Sequence, residues 1–203
     1  MRALLSGRVS DAEHLAEQAL ATGARAEQVS AGQYYGIQLL EIRREQHRMA
    51  ELEPALRQTL EQFPNRLAYR AALGVLLIEA GRPDEARLEV EQLGITDVTE
   101  DLDWLVTMSL LGDVYADLGD TARATQLYEL LLPYEANNVV IGFAAACEGP
   151  VARVLGRLAA VIGRPQDATR HFERAVELAE RLGAPLLKAR VERGTARAFS
   201  GAA

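Results

Sequence analysis

In residues 111–133, "LGDVYADLGDTARATQLYELLLP", small and apolar positions recur around a glycine, Gly119. Five, nine and twelve residues beyond it stand Ala124, Tyr128 and Leu131, a helical spacing. The same offsets from Gly163 give Ala168, Phe172 and Ala175. From Gly81 they give Ala86, Val90 and Leu93, and from Gly7 they give Ala12, Ala16 and Ala19. Seven residues before Gly81, Gly119 and Gly163 stand Gly74, Gly112 and Gly156. A recurring unit of helix, short turn and helix follows. The earlier glycine lets the second helix approach, the alanine is its counterpart, and the anchor glycine supplies the positive φ that ends the first helix.

Start and stop signals agree with this register. Ser10 with Glu13 predicts a capping box, Pro83 and Pro165 suit a first helical turn, and Asp120 or Thr121 can cap. Gly23, Gly94 and Gly183 are the predicted stops of the second helices. A degenerate unit fits between Gly7 and Gly81, with His47 in the glycine place and Leu52 in the alanine place. Residues 133–150 are predicted to extend a first helix, with a loop around Asn137 and Asn138. The chain therefore reads as one all-α array over residues 1–203, of about four to five helical hairpins. Residues 1–6 are too few for a full first helix, and residues 186–199 read as a first helix without a partner. Such ends leave apolar surface uncapped, which points to a segment of a longer regulator or to self-association.

Leu111, Gly112 and Tyr115, followed by Gly119, Ala124 and Tyr128, resemble the tetratricopeptide repeat (TPR) signature, and residues 155–175 match it again. The resemblance implies a right-handed α-α superhelix, a TPR-like solenoid. Residues 120–140 and 149–185 look, more narrowly, like the C-terminal helical region of bacterial LuxR-type ATP-dependent regulators and cyclase–ATPase signalling proteins. That likeness implies a non-catalytic sensor or scaffold module in signalling or transcription regulation. Its partner would be a protein or peptide in the concave groove, or a small-molecule inducer. A free-standing homo-oligomeric adaptor is the alternative.

In the resembled family the first helix of each hairpin lines the inner groove. The glycine register carries those positions to Tyr34, Ile37, Glu41 and Arg44, then Ala71, Val75 and Glu79, then Ser109, Asp113 and Asp117, then Arg153 and Arg157. Asp113/Asp117 and Arg153/Arg157 are each four residues apart, one stripe per helix. Since successive first helices are neighbours, the acidic stripe is expected to face the arginine stripe. Two readings follow: a ladder of ion pairs between repeats, or a pair of arginines that receives an anionic group of a ligand.

Charge and chemistry narrow the field. The 203 residues carry a net charge of −7, which argues against direct nucleic-acid binding. The excess is uneven, with residues 150–203 net basic and the rest strongly acidic. Cys147 is the single cysteine, so no internal disulfide can form, and it reads as a small packed residue. No apolar run is long enough for a signal peptide or a membrane span, which makes a cytoplasmic protein the default. His14, His47 and His171 lie far apart without metal spacing and read as surface residues; no cofactor is implied. There is no phosphate-cradling G-x-x-x-x-G-K-[ST] and no G-x-S-x-G elbow, so an enzyme is not expected.

Overall fold

The structure is a computed structural model that describes residues 1–28, 30–95 and 101–200; the remaining positions of the expected single array lie outside the described residues. Among the described residues the fold is all-α with one small two-stranded sheet. The helices are α1 (Arg2–Leu5), α2 (Val9–Arg25), α3 (Ala31–Glu45), α4 (Glu53–Gln62), α5 (Leu67–Glu79), α6 (Pro83–Glu91), α7 (Trp104–Leu118), α8 (Thr121–Leu131), α9 (Val151–Val161), α10 (Pro165–Arg181) and α11 (Pro185–Ser200). Consecutive helices pair as α5 with α6, α7 with α8, and α9 with α10, while α5, α7, α9 and α11 lie side by side in that order.

One backbone device closes the first helix of every unit. Gly7, His47, Gly81, Gly119 and Gly163 all have positive φ, between 57° and 78°. In each case the next N–H reaches back five residues: Arg8 to Ala3, Arg48 to Arg43, Arg82 to Leu77, Asp120 to Tyr115 and Arg164 to Ala159. This is the Schellman closure, which satisfies carbonyls that a helix end would otherwise orphan. Four of those following residues are arginines, and each pairs with an acid three residues on: Arg8–Asp11, Arg48–Glu51, Arg82–Glu85 and Arg164–Asp167. Asp11, Glu85 and Asp167 thereby sit in the first turn of the second helix, where the helix dipole favours them, while Glu51 sits in a short 3-10 turn (Met49–Leu52) just before α4. The remaining unit uses the cap instead: Asp120 Oδ1 accepts the N–H of Arg123 at 3.0 Å.

The small residues lie where helices meet. Ala86, Ala124 and Ala168 are completely buried. A Cβ on Gly112 would stand 2.5 Å from Val154 of α9, and one on Gly156 would stand 2.8 Å from the Phe172 ring of α10. Tyr115 and Tyr128 tie the pairs together. The Tyr115 hydroxyl donates to the Val90 carbonyl at 3.1 Å, and Tyr128 bonds His171 at 2.9 Å.

Several expectations are corrected. Residues 133–150 do not extend a helix; they form a hairpin of β1 (Asn138–Ile141) and β2 (Ala146–Pro150). The β-branched run "VVI" supports a strand, and the turn takes Gly142, Phe143 and Ala144 through positive φ. The pairing shifts between Val139, opposite Gly149, and Val140, opposite Cys147, which leaves Glu148 as the extra residue of a bulge. Ser10 lies inside α2 and caps nothing, because Arg8 holds the cap position. α2 also runs through Gly23 to Arg25, and the chain turns at Glu27 (φ 51°). At the two ends, α1 lies against α11, and Leu186 packs on the cluster of Ala3, Leu4, Ala12, Ala16 and Ile42.

Candidate functional site

The acidic stripe of α7 and the arginine stripe of α9 meet. Arg153 donates to both oxygens of Asp113 at 2.8 and 2.7 Å, while Arg157 bridges Asp113 and Asp117, each at 2.7 Å. Asp113 and Arg153 are 2% and 5% exposed, so this is an interior arrangement. Burial alone would raise the Asp113 carboxyl, but Arg153, Arg157 and Arg44 outweigh it and hold the group well below the usual carboxylate range.

The network continues through α3. Arg44 donates to Glu79 of α5 at 3.0 Å and to Glu148 of the bulge at 2.9 Å, and it lies 3.7 Å from Asp113. From the far side, Arg190 of α11 binds Glu41 at 3.0 Å, Glu45 at 2.5 Å and the carbonyl of Glu148 at 3.2 Å. Thus α3, α5, α7, α9, α11 and β2 converge on one chain of alternating charges. Glu41, Asp113, Arg153 and Arg157, predicted for the groove wall, are buried within it. Arg44 joins them half-buried, while Glu79 and Asp117 keep an edge toward solvent. Ala71, Val75 and Ser109 are buried as well. Glu148 and Arg190, the covering residues, were not singled out by sequence reasoning. Both lie outside the first-helix register, and a bulged strand leaves no local periodic signal.

Tyr34 stands apart from this network. With Tyr35 and Leu20 it lines an open groove of about 410 Å³ between α2, α3 and the hairpin turn, where Phe143 is 83% exposed. An adjoining cavity of about 220 Å³ is lined by Leu4, Ala16, Ile42 and Cys147. Gln38 reaches across the groove to the Ala145 carbonyl at 3.4 Å, and Ile37 lies half-buried beside it. Cys147 is buried, and burial pushes its thiol up.

His171 corrects another expectation, since it is fully buried rather than exposed. Its Nδ1 meets Glu135 at 2.6 Å and its Nε2 meets the Tyr128 hydroxyl, with the Arg164 guanidinium 4.9 Å from the Tyr128 ring centre. These bonds tie α10 to α8 and to Glu135 beyond the end of α8, where the Glu135 side chain keeps an edge toward solvent. Among the described residues no three His, Cys, Asp or Glu side chains are grouped to hold a metal ion, and no helix is long and apolar enough to cross a membrane. Comparison with protein-family models, with curated proteins and with solved structures finds no match for this chain.

Proposed function

We propose that this chain is a non-catalytic helical-repeat module of the TPR type, a right-handed α-α superhelix that binds a protein or peptide segment. Its context is that of a sensor or scaffold part of a bacterial signalling or transcription-regulatory ATPase. The repeat reading is supported by the five Schellman-closed turns and by first helices α5, α7, α9 and α11 lying in sequence. The terminal guanidinium nitrogens of Arg153 and Arg157 are engaged by Asp113 and Asp117, which turns the binding role toward the part of the predicted wall that stays open, around Tyr34.

The observation that carries the reading is the groove between α2, α3 and the hairpin turn. Two tyrosines line it, and at its rim Phe143 is held out at φ 53°, an uncommon backbone state for a bulky residue. Aromatic side chains of this kind are the usual anchors of protein interfaces. The groove's lining is free of charged side chains, so the segment it fits is apolar and neutral.

The test is affinity capture from the chain's own cell extract, comparing the wild type with Tyr34→Ala and Phe143→Ser. A defined protein that the wild type retains and both variants lose, with helicity unchanged, supports the proposal. Capture that is equal in all three chains, or no capture by the wild type, overturns it.

A further inference from the structure

The carboxyl groups of Glu41 and Glu148 come from positions 107 residues apart and meet inside the protein, 1% and 2% exposed. Each has one oxygen engaged by an arginine. Glu41 Oε2 accepts from Arg190, and Glu148 Oε2 accepts from Arg44. The other oxygen of each, Oε1, is buried with no donor; Arg44 lies 3.9 Å from Glu41 Oε1, too far for a hydrogen bond. The two carboxyls are within hydrogen-bonding reach of one another. A proton held between the two carboxyls supplies the donor that both lack.

We infer that Glu41 and Glu148 share one proton, and that its loss unlatches α1–α3 from the β-hairpin and α11. The charge around the pair is set by every element that packs against it. α3 contributes Arg44 and Glu45, α5 Glu79, α7 Asp113, α9 Arg153, and α11 Arg190, with Arg193 reaching Glu45 at 3.1 Å; the Cys147 thiol lies beside the pair on β2. Burial first, and then the Glu148 charge, push the Glu41 carboxyl up to about 8. For Glu148 burial acts in the same direction, but Arg44 and Arg190 outweigh it and hold that group down. The proton belongs to the pair, which binds one more proton latched than open at neutral pH.

Across this interface Leu186 of α11 packs on the cluster of Ala3, Leu4, Ala12, Ala16 and Ile42, Leu5 packs on the cluster of Cys147, Ala184 and Leu187, and Leu40 packs on the main core; two cavities of about 220 and about 410 Å³ flank these contacts. The chain leaves α3 through His47, at φ 57°, a turn that can serve as the pivot. The sign follows from linkage. A carboxyl whose pKa is raised in the latched state stabilises that state fully below its ordinary pKa; the gain is lost by up to tenfold in the equilibrium per pH unit as pH climbs from there to the raised value, and nothing further is lost above it. This inference does not depend on what the groove binds.

The test is amide hydrogen exchange on the full chain between about pH 5.5 and 9, corrected for the intrinsic pH dependence of exchange. In the wild type, protection in residues 31–45 and 138–150 is expected to fall up to tenfold per pH unit as pH rises to about 8 and to level off above it, while α5 to α8 stay protected. Glu41→Gln keeps a permanent donor at this position and is expected to hold protection level across the range; Glu148→Gln, the second variant, removes the like charge and is expected to do the same. Wild-type protection that does not change with pH overturns the inference. So does loss spread evenly over all helices, or an equal decline in a folded Gln variant.

Discussion

Replacing Gly112 by alanine probes the close approach of α7 and α9. The added carbon would lie 2.5 Å from Val154 Cγ1 and 3.5 Å from Leu158 Cδ1. Carbon atoms rest at about 3.5–4.0 Å, so the first contact demands a displacement of about 1 Å. Val154 is β-branched on a helix and has essentially one rotamer there, so the helices must part. Overpacking of this kind costs about 1–3 kcal/mol, against about 1 kcal/mol recovered from the better helix propensity of alanine. The neighbouring residues, Asp113 and Arg153, form the bidentate pair at 2.7–2.8 Å, and separating the helices stretches it. A net loss of about 2 kcal/mol follows, or about 4–8 °C in Tm for a chain of this size. Gly36 on α3 is the control, with nothing within 4 Å of its added carbon. There the same substitution is expected to stabilise by about 0.5–1 kcal/mol. Thermal unfolding by circular dichroism measures both. If Gly112→Ala raises Tm as Gly36→Ala does, the close-packing argument is wrong.

Ala124 is completely buried on α8, and Ala124→Arg is expected to destabilise by several kcal/mol, about the range of severe core disruption, read as a large fall in the urea midpoint. His171→Leu leaves the buried Tyr128 hydroxyl without its partner. A loss of about 1–3 kcal/mol is expected, and Tyr128→Phe in the same background should recover part of it.

The turns were the most legible feature of the sequence, because a glycine with positive φ and an alanine five residues on are local requirements of a helical hairpin. Even His47, which lacks the glycine's freedom, occupies the left-handed state at the predicted place. The facing stripes of α7 and α9 were legible for a related reason: their i, i+4 spacing puts both charges on one face. The hairpin over residues 138–150 was not legible. Short apolar runs fit a strand or a buried helix equally, and the network of five other elements that Glu148 enters leaves no local signal. His171 misled for the same reason. Its burial depends on Glu135 and Tyr128, which lie 36 and 43 residues away and give no local signal. Of the predicted groove wall, the charged positions could be listed from register alone. That α3, β2 and α11 would close over them required long-range contacts that no repeat pattern encodes.

The central claim, that the acidic stripe of α7 and the arginine stripe of α9 satisfy one another inside the fold, is tested most directly by a double-mutant cycle. The variants are Asp113→Leu, Arg153→Met and the pair together, with stability read from denaturant unfolding. Removing either partner of a buried pair is expected to cost about 3–5 kcal/mol, while the double variant should cost less than the sum by about 1 kcal/mol or more. Effects that add to within about 0.5 kcal/mol would contradict the claim, since independent sites behave that way.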